Sequence, residues 1–180
     1  MTTMQREMHG VTVECVQGDI ANQPEVEAIV NAANAELRMG GGVAGAIHRA
    51  AGPELERACR PLAPIRPGEA VITEAYQLPN RSIIHCLGPI YGRDEPAHEL
   101  LASCYRNALQ LAEQNGIAAI AFPAISTGAF GYPLDAAAGV AAKTVMDMLP
   151  ELSVVKHIRF VLFHDADVRV FDRALEAIED

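Results

Sequence analysis

No stretch of this chain approaches the roughly 20 consecutive apolar residues that a membrane span needs, although half of its 180 residues are hydrophobic. The opening MTTMQREMHG has no apolar segment of the kind a secretory signal carries, so residues 1–10 read as a flexible lead-in to the first strand. A soluble protein in a cytoplasmic setting is expected. Cysteine is sparse and shows no pairing pattern: Cys15, Cys59, Cys86 and Cys104 lie far apart, with no CxxC and no His/Cys cluster. Each sits in an apolar stretch, where cysteine behaves as a small hydrophobe. We expect a reducing compartment, no metal and no cofactor.

Basic runs are missing as well, and the formal charge is −9. This argues against a nucleic-acid polymer as partner, because neutralising a phosphate backbone needs clustered Lys and Arg. A small anion held by main-chain N–H groups and helix N-termini stays open. Neither glycine-rich stretch continues into the Gly-Lys-Ser/Thr of a P-loop, and no G-x-S-x-G elbow occurs. Gly40 to Gly45 satisfies G-x-G-x-x-G on paper. A dinucleotide fold needs that motif directly after a strand, with an acid about 20 positions on. Here a polar turn from Asn31 to Met39 intervenes, and the region beyond is proline-rich.

What is present is an alternation of short β-rich runs with amphipathic helices over residues 11–180, with no repeat and no linker. That pattern predicts one α/β domain whose largely parallel sheet is covered on both faces. Strands are expected at 11–16, 28–30, 71–77, 82–87, 117–122 and 158–163, those at 71–77 and 82–87 forming a hairpin-like pair. Helices are expected at 43–51, 53–60, around Leu101, Cys104, Ala108 and Leu111, at 134–148, and after a capping Asp165 with Val168, Phe171, Leu175 and Ile178 on one face. Four strand ends carry unusual chemistry: Asp19, Asn31 to Asn34, Ser126 to Phe130, and Phe163-His164. Ligands of open α/β sheets bind beyond such ends.

Gly40-Gly41-Gly42 before a helix exposes N–H groups to which a bulky anion has access, and the helix dipole adds to them. Ser126-Thr127-Gly128-Ala129-Phe130-Gly131 repeats the device at a second strand-to-helix junction. Two such loops without Lys or Arg suggest a diphosphate held mainly by main chain, with Ser126 and Thr127 as phosphate or main-chain ligands.

Four blocks, in order and spacing over most of the chain, resemble the signatures of macrodomains: Gly18-Asp19-Ile20, Asn31-Ala32-Ala33-Asn34, Gly40 to Gly52, and Pro123 to Pro133. The resemblance implies a three-layer α/β/α fold with a mixed, largely parallel sheet and an ADP-ribose crevice. It implies ligand contacts at Asp19, Ile20, Asn34, Gly41, Gly42, Val43, Ser126, Thr127, Gly128, Ala129, Phe130 and Phe163. Within that set, Asp19 accepts from the adenine amino group and Phe163 stacks on the ring. Asn34 meets the distal ribose hydroxyls and Phe130 packs near the reacting carbon, which makes these two the catalytic candidates. Asn31 is expected as a structural turn residue. The partners implied are ADP-ribose and ADP-ribosylated proteins or O-acetyl-ADP-ribose, and the activity is hydrolysis of these conjugates; oligomeric state is left open.

One position departs from the pattern. MacroD-type hydrolases carry Asp where this chain has Ala44, one helical turn before His48. Alanine takes no proton, so water activation is expected to fall to the ligand's own phosphate, and His48 is expected as a packed structural histidine. Some viral macrodomains resemble this chain in the same GGGVAGA wording and are regarded as hydrolases. A non-catalytic ADP-ribose reader, or a protein–protein regulatory module, is the alternative.

Overall fold

Ile29, Ile83, Ala121 and Val161 face one side of a sheet whose neighbouring positions Val30, Ile84, Phe122 and Phe160 face the other. This two-residue alternation, with both faces apolar, is what a sheet covered on two sides requires. The computed structural model describes residues 3–179. Its strands are β1 (Thr3–Met8), β2 (Val11–Gln17), β3 (Ala28–Ala32), β4 (Ala70–Glu74), β5 (Ser82–Cys86), β6 (Ala119–Phe122) and β7 (His157–Leu162). Its helices are α1 (Gly42–Ala51), α2 (Glu54–Cys59), α3 (Ala97–Gln114), α4 (Leu134–Met148) and α5 (Asp165–Glu179). The strand order is β1-β2-β7-β6-β3-β5-β4. The five inner strands run parallel, while β1 and β4 are antiparallel edges. Helices α3, α4 and α5 cover the larger core, and α1 and α2 cover the smaller.

The larger core is organised around Phe122, with Tyr105 and Phe160 at ring-centroid distances of 5.1 and 5.9 Å, and Phe171 a further 5.3 Å from Phe160. Small residues of α4 (Ala137, Ala138, Ala141, Ala142) let that helix approach closely.

Three elements differ from the sequence expectation. Part of the lead-in is a strand: Met4, Arg6 and Met8 turn inward while Gln5 and Glu7 are exposed. His9 and Gly10, both at positive φ (52° and 74°), close a two-residue hairpin onto Val11. Residues 1 and 2 of that segment lie outside the described residues. At α5, the Val168 N–H donates to the His164 carbonyl, so His164 takes the cap position. Asp165 lies in the first turn and pairs with Arg169 at 3.2 Å. On α5, Val168, Phe171 and Leu175 are buried but Ile178 is 37% exposed. On α3 the buried face runs through Tyr105, Leu109 and Ala112, with Leu111 beside it.

Candidate functional site

Because β2, β7, β6, β3 and β5 are parallel, Gln17, Leu162, Phe122, Ala32 and Cys86 end along one edge, and the loops that follow them gather there. A cavity of about 320 Å³ opens in the middle of this edge. Its walls are Ala32, Ala33 and Asn34 after β3, Gly41 to Ala44 at the start of α1, Gly88 after β5, and Ala124 to Ser126 with Gly128 to Phe130 after β6. None of these side chains titrates or carries charge.

Main-chain donors take the place of cations. The first helical hydrogen bond of α1 runs from Gly45 N–H to the Gly41 carbonyl at 3.1 Å. The N–H groups of Gly41, Gly42, Val43 and Ala44 therefore have no partner among the described residues, as the first turn of any helix leaves them. The N–H groups of Ser126, Gly128, Ala129 and Phe130 are likewise unpaired among the described residues. Ser126 sits in the left-handed region at φ 69°, a conformation that costs a non-glycine residue about 1 kcal/mol or more. Its hydroxyl donates to the Pro89 carbonyl at 2.8 Å, and that of Thr127 donates to the Ala124 carbonyl at 2.8 Å. A hydroxyl has one proton to give. Of the two roles the sequence left open for these hydroxyls, both are seen here as main-chain ligands that fasten the loop, and Thr127 does not line the cavity.

Gly88 explains how these loops meet. A Cβ there would collide with the Ser126 hydroxyl and lie 2.7 Å from Ile125 Cγ2. Gly41 is different, since a Cβ on it would meet nothing within 4 Å. Neither packing nor backbone conformation requires glycine at 41, whose φ is −99°.

Asn34 is half-buried at the cavity mouth, with both ends of its amide engaged. Its Oδ1 accepts from the Arg38 N–H at 2.9 Å, and its Nδ2 donates to the Arg38 carbonyl at 2.8 Å. It thus closes the loop that leads to the glycines, and one amide proton and one lone pair remain for a ligand. Asn31 is not a turn residue. It lies within β3, fully buried, with Nδ2 3.1 Å from Nδ1 of His85. That contact makes Nδ1 the acceptor, so Nε2–H of His85 donates to Thr73 Oγ1 at 2.9 Å, which donates to the Glu74 carbonyl at 3.0 Å. Burial, with His48 nearby, depresses the His85 pKa to about 3. Burial also lowers that of His48, against the opposing charge of Glu56. His48 is 2% exposed and lies outside the cavity wall, so both histidines are neutral interior groups.

Asp19 and Phe163 lie beyond the cavity at the adjacent ends of β2 and β7. Phe163 is 75% exposed, unlike any other phenylalanine here. Asp19 Oδ1 accepts from the Ala21 N–H at 2.9 Å and its second oxygen is open among the described residues. The Ile20 side chain is buried in the smaller core, which leaves only its unpaired N–H for a ligand. A relay that sequence reasoning missed holds this end in place. Gln23 Nε2 donates to the Asp19 carbonyl (2.9 Å), Arg159 Nη1 donates to Gln23 Oε1 (2.8 Å), and Arg159 Nε donates to Glu14 (2.5 Å). Burial opposes ionisation of Glu14, but Arg159 and His157 outweigh it and hold the carboxyl below its ordinary range. Gly88, Ala124 and Ile125 were also missed. The Gly88-Pro89 pair directly after a strand was the available signal.

Residues 30–141 match the Macro domain family. An O-acetyl-ADP-ribose deacetylase of Cronobacter sakazakii is 46% identical over 168 residues, covering 91% of this chain and 93% of that protein. The structure of the Oceanobacillus iheyensis macrodomain with ADP superposes at a TM-score of 0.94 with 41% identity, covering 99% of this chain and 97% of the other. The Trypanosoma brucei macrodomain in complex with ADP-ribose gives 0.84 and 36%, covering 91% and 68%. Among the described residues no helix is long and apolar enough to cross a membrane.

Proposed function

Since the chain belongs to the Macro domain family, we propose that it binds ADP-ribose in this crevice and hydrolyses conjugates at the distal ribose, O-acetyl-ADP-ribose among them. The observation that carries the reading is the uncharged cavity walled on two sides by open N–H groups. A diphosphate supplies the acceptors those donors lack. The helix dipole of α1 adds to the attraction. The cytoplasmic setting expected from the sequence belongs to the same reading.

In this reading Asp19 and Phe163 hold adenine, the Ile20 N–H assists, and the diphosphate lies between Gly41-Gly42-Val43 and Ser126 to Phe130. Asn34 and Phe130 orient the distal ribose. With Ala44 in the wall and no titrating side chain beside it, a phosphate oxygen of the ligand orients the attacking water and accepts its proton. In deacetylation, water oxygen bonds to the acyl carbon, the ester C–O bond breaks, and the ribose oxygen receives the proton. The products are ADP-ribose and acetate. A side-chain base typically contributes about 10²–10⁴-fold, so turnover is expected to be slow compared with relatives that keep an acid there.

Two measurements test the proposal. ADP-ribose should raise the melting temperature more than AMP does, because a ligand selective for the folded state stabilises it by mass action. O-acetyl-ADP-ribose should yield ADP-ribose and acetate. Absence of any shift at millimolar ADP-ribose removes the site. Tight binding with no product from any conjugate makes the chain a reader.

A further inference from the structure

A second cavity, of about 340 Å³, shares Gly88 and Phe130 with the first as common walls. It lies on the far side of Phe130, with a mainly apolar wall of Ala35, Ile65, Pro67, Leu87 and Ile90 and one carboxylate, Asp94, so that the two arginines at its rim leave the lining with net positive charge. At its rim stand Arg66 and Arg93, both exposed. Among the described residues neither guanidinium makes an ion pair or a hydrogen bond. The neighbouring acids are engaged with backbone. Glu69 accepts from the Arg66 N–H at 2.6 Å, Asp94 from the Ile90 N–H at 2.8 Å, and Glu95 from the Ala97 N–H at 3.3 Å. In a chain of net charge −9, two unengaged guanidinia at the mouth of one apolar hollow form a local exception.

We propose that this annex receives the polypeptide to which ADP-ribose is attached, and that Arg66 and Arg93 select segments with acidic residues beside the modified one. The inference rests on the functional reading above, which puts the reacting ribose next to Phe130. Size argues for it. The annex has room for roughly ten water molecules, each taking about 30 Å³ of liquid, whereas an acetyl group fills only a small part of that. Its chemistry also argues for it. The apolar interior takes aliphatic side-chain stems, and the two guanidinia at its rim suit carboxylates on either side. The same arrangement offers nothing extra to O-acetyl-ADP-ribose.

The test uses two peptides carrying mono-ADP-ribose through the same ester linkage, one flanked by Glu and Asp, the other by Gln and Asn. Both are compared with O-acetyl-ADP-ribose, on the whole chain and on R66Q/R93Q. The chain should favour the acidic peptide about three- to tenfold in kcat/KM, through KM, with the preference shrinking at high salt; exposed ion pairs are worth no more than this. R66Q/R93Q should erase the preference while leaving O-acetyl-ADP-ribose turnover and ADP-ribose affinity unchanged. Affinities of the two intact peptides are measured alongside, so a chain that binds without turnover still reports on the annex. Equal treatment of the peptides by the original chain, or a preference that survives in R66Q/R93Q, overturns the proposal. Failure of ADP-ribose itself to bind overturns the functional reading instead.

Discussion

At Asn34 the structure changes what a substitution is expected to do. From sequence, Asn34 is a ribose ligand, so its loss should slow turnover and leave affinity nearly intact. Its amide also fastens both main-chain groups of Arg38, and a net hydrogen bond contributes about 0.5–1.5 kcal/mol. Asn34→Ala should therefore lower ADP-ribose affinity as well as turnover, and cost about 1–2 kcal/mol of stability by urea titration. Retained affinity with lost turnover would favour the simpler ribose role. Phe163 presents the opposite case. At 75% exposure it supports little of the fold, so Phe163→Ala should leave the melting temperature alone and weaken ADP-ribose by about 1–3 kcal/mol if adenine stacks on it. Asp19→Asn keeps an acceptor for the Ala21 N–H and removes only the charge, and should weaken adenine binding by about 1 kcal/mol. Unchanged affinity in both variants, measured by calorimetry, would move adenine elsewhere.

Among elements, α1 and the glycines before it carry the clearest signal in the sequence. Three glycines ahead of an amphipathic run point to an open helix N-terminus, and the helix begins at Gly42, one residue before the expected start. Most other strand and helix bounds fall within three residues of expectation for the same reason: alternation and helical spacing are local properties. The edge strand β1 escaped because three of its six residues are polar or charged between methionines, and its pairing depends on a turn at His9-Gly10. Asn31 escaped because a buried polar residue in a strand looks like a turn asparagine until its partner, His85 on the next strand, is known. The relay from Glu14 through Arg159 and Gln23 to Asp19 joins residues up to 145 positions apart, beyond any spacing rule. Gly41→Val tests the glycine loop. With free space around position 41, the variant should fold with an unchanged melting temperature while losing at least tenfold in ADP-ribose affinity, about 1.4 kcal/mol, because its side chain occupies the diphosphate path. A destabilised protein would mean that the glycine serves the fold instead.

For the molecule as a whole, the neutral interior histidines tie stability to pH. An unfolded histidine has a pKa near 6.5, and His85 in the fold titrates at about 3. Between those values the unfolded chain binds a proton that the folded chain does not, so stability is lost as pH falls below about 6.5. His48 is shifted the same way. For His85 the slope should approach about 1.4 kcal/mol per pH unit, with His48 adding to it in the same direction. Urea titrations at pH 7.5, 6 and 5 will show it, and equal free energies at all three would contradict the buried neutral pair. The strand order has a consequence of another kind, for a chain leaving the ribosome. Strand β2 is made early, next to its partner β1, but its other neighbour is β7, which emerges some 140 residues later. Until then one flank of β2 is an unpaired template, with the aggregation hazard that such edges carry. Long-range parallel pairing of this sort also slows folding. Asp19 and Phe163 stand on either side of that last seam, so the end of the crevice proposed for adenine is completed only after the segments that carry the glycine loops have been made.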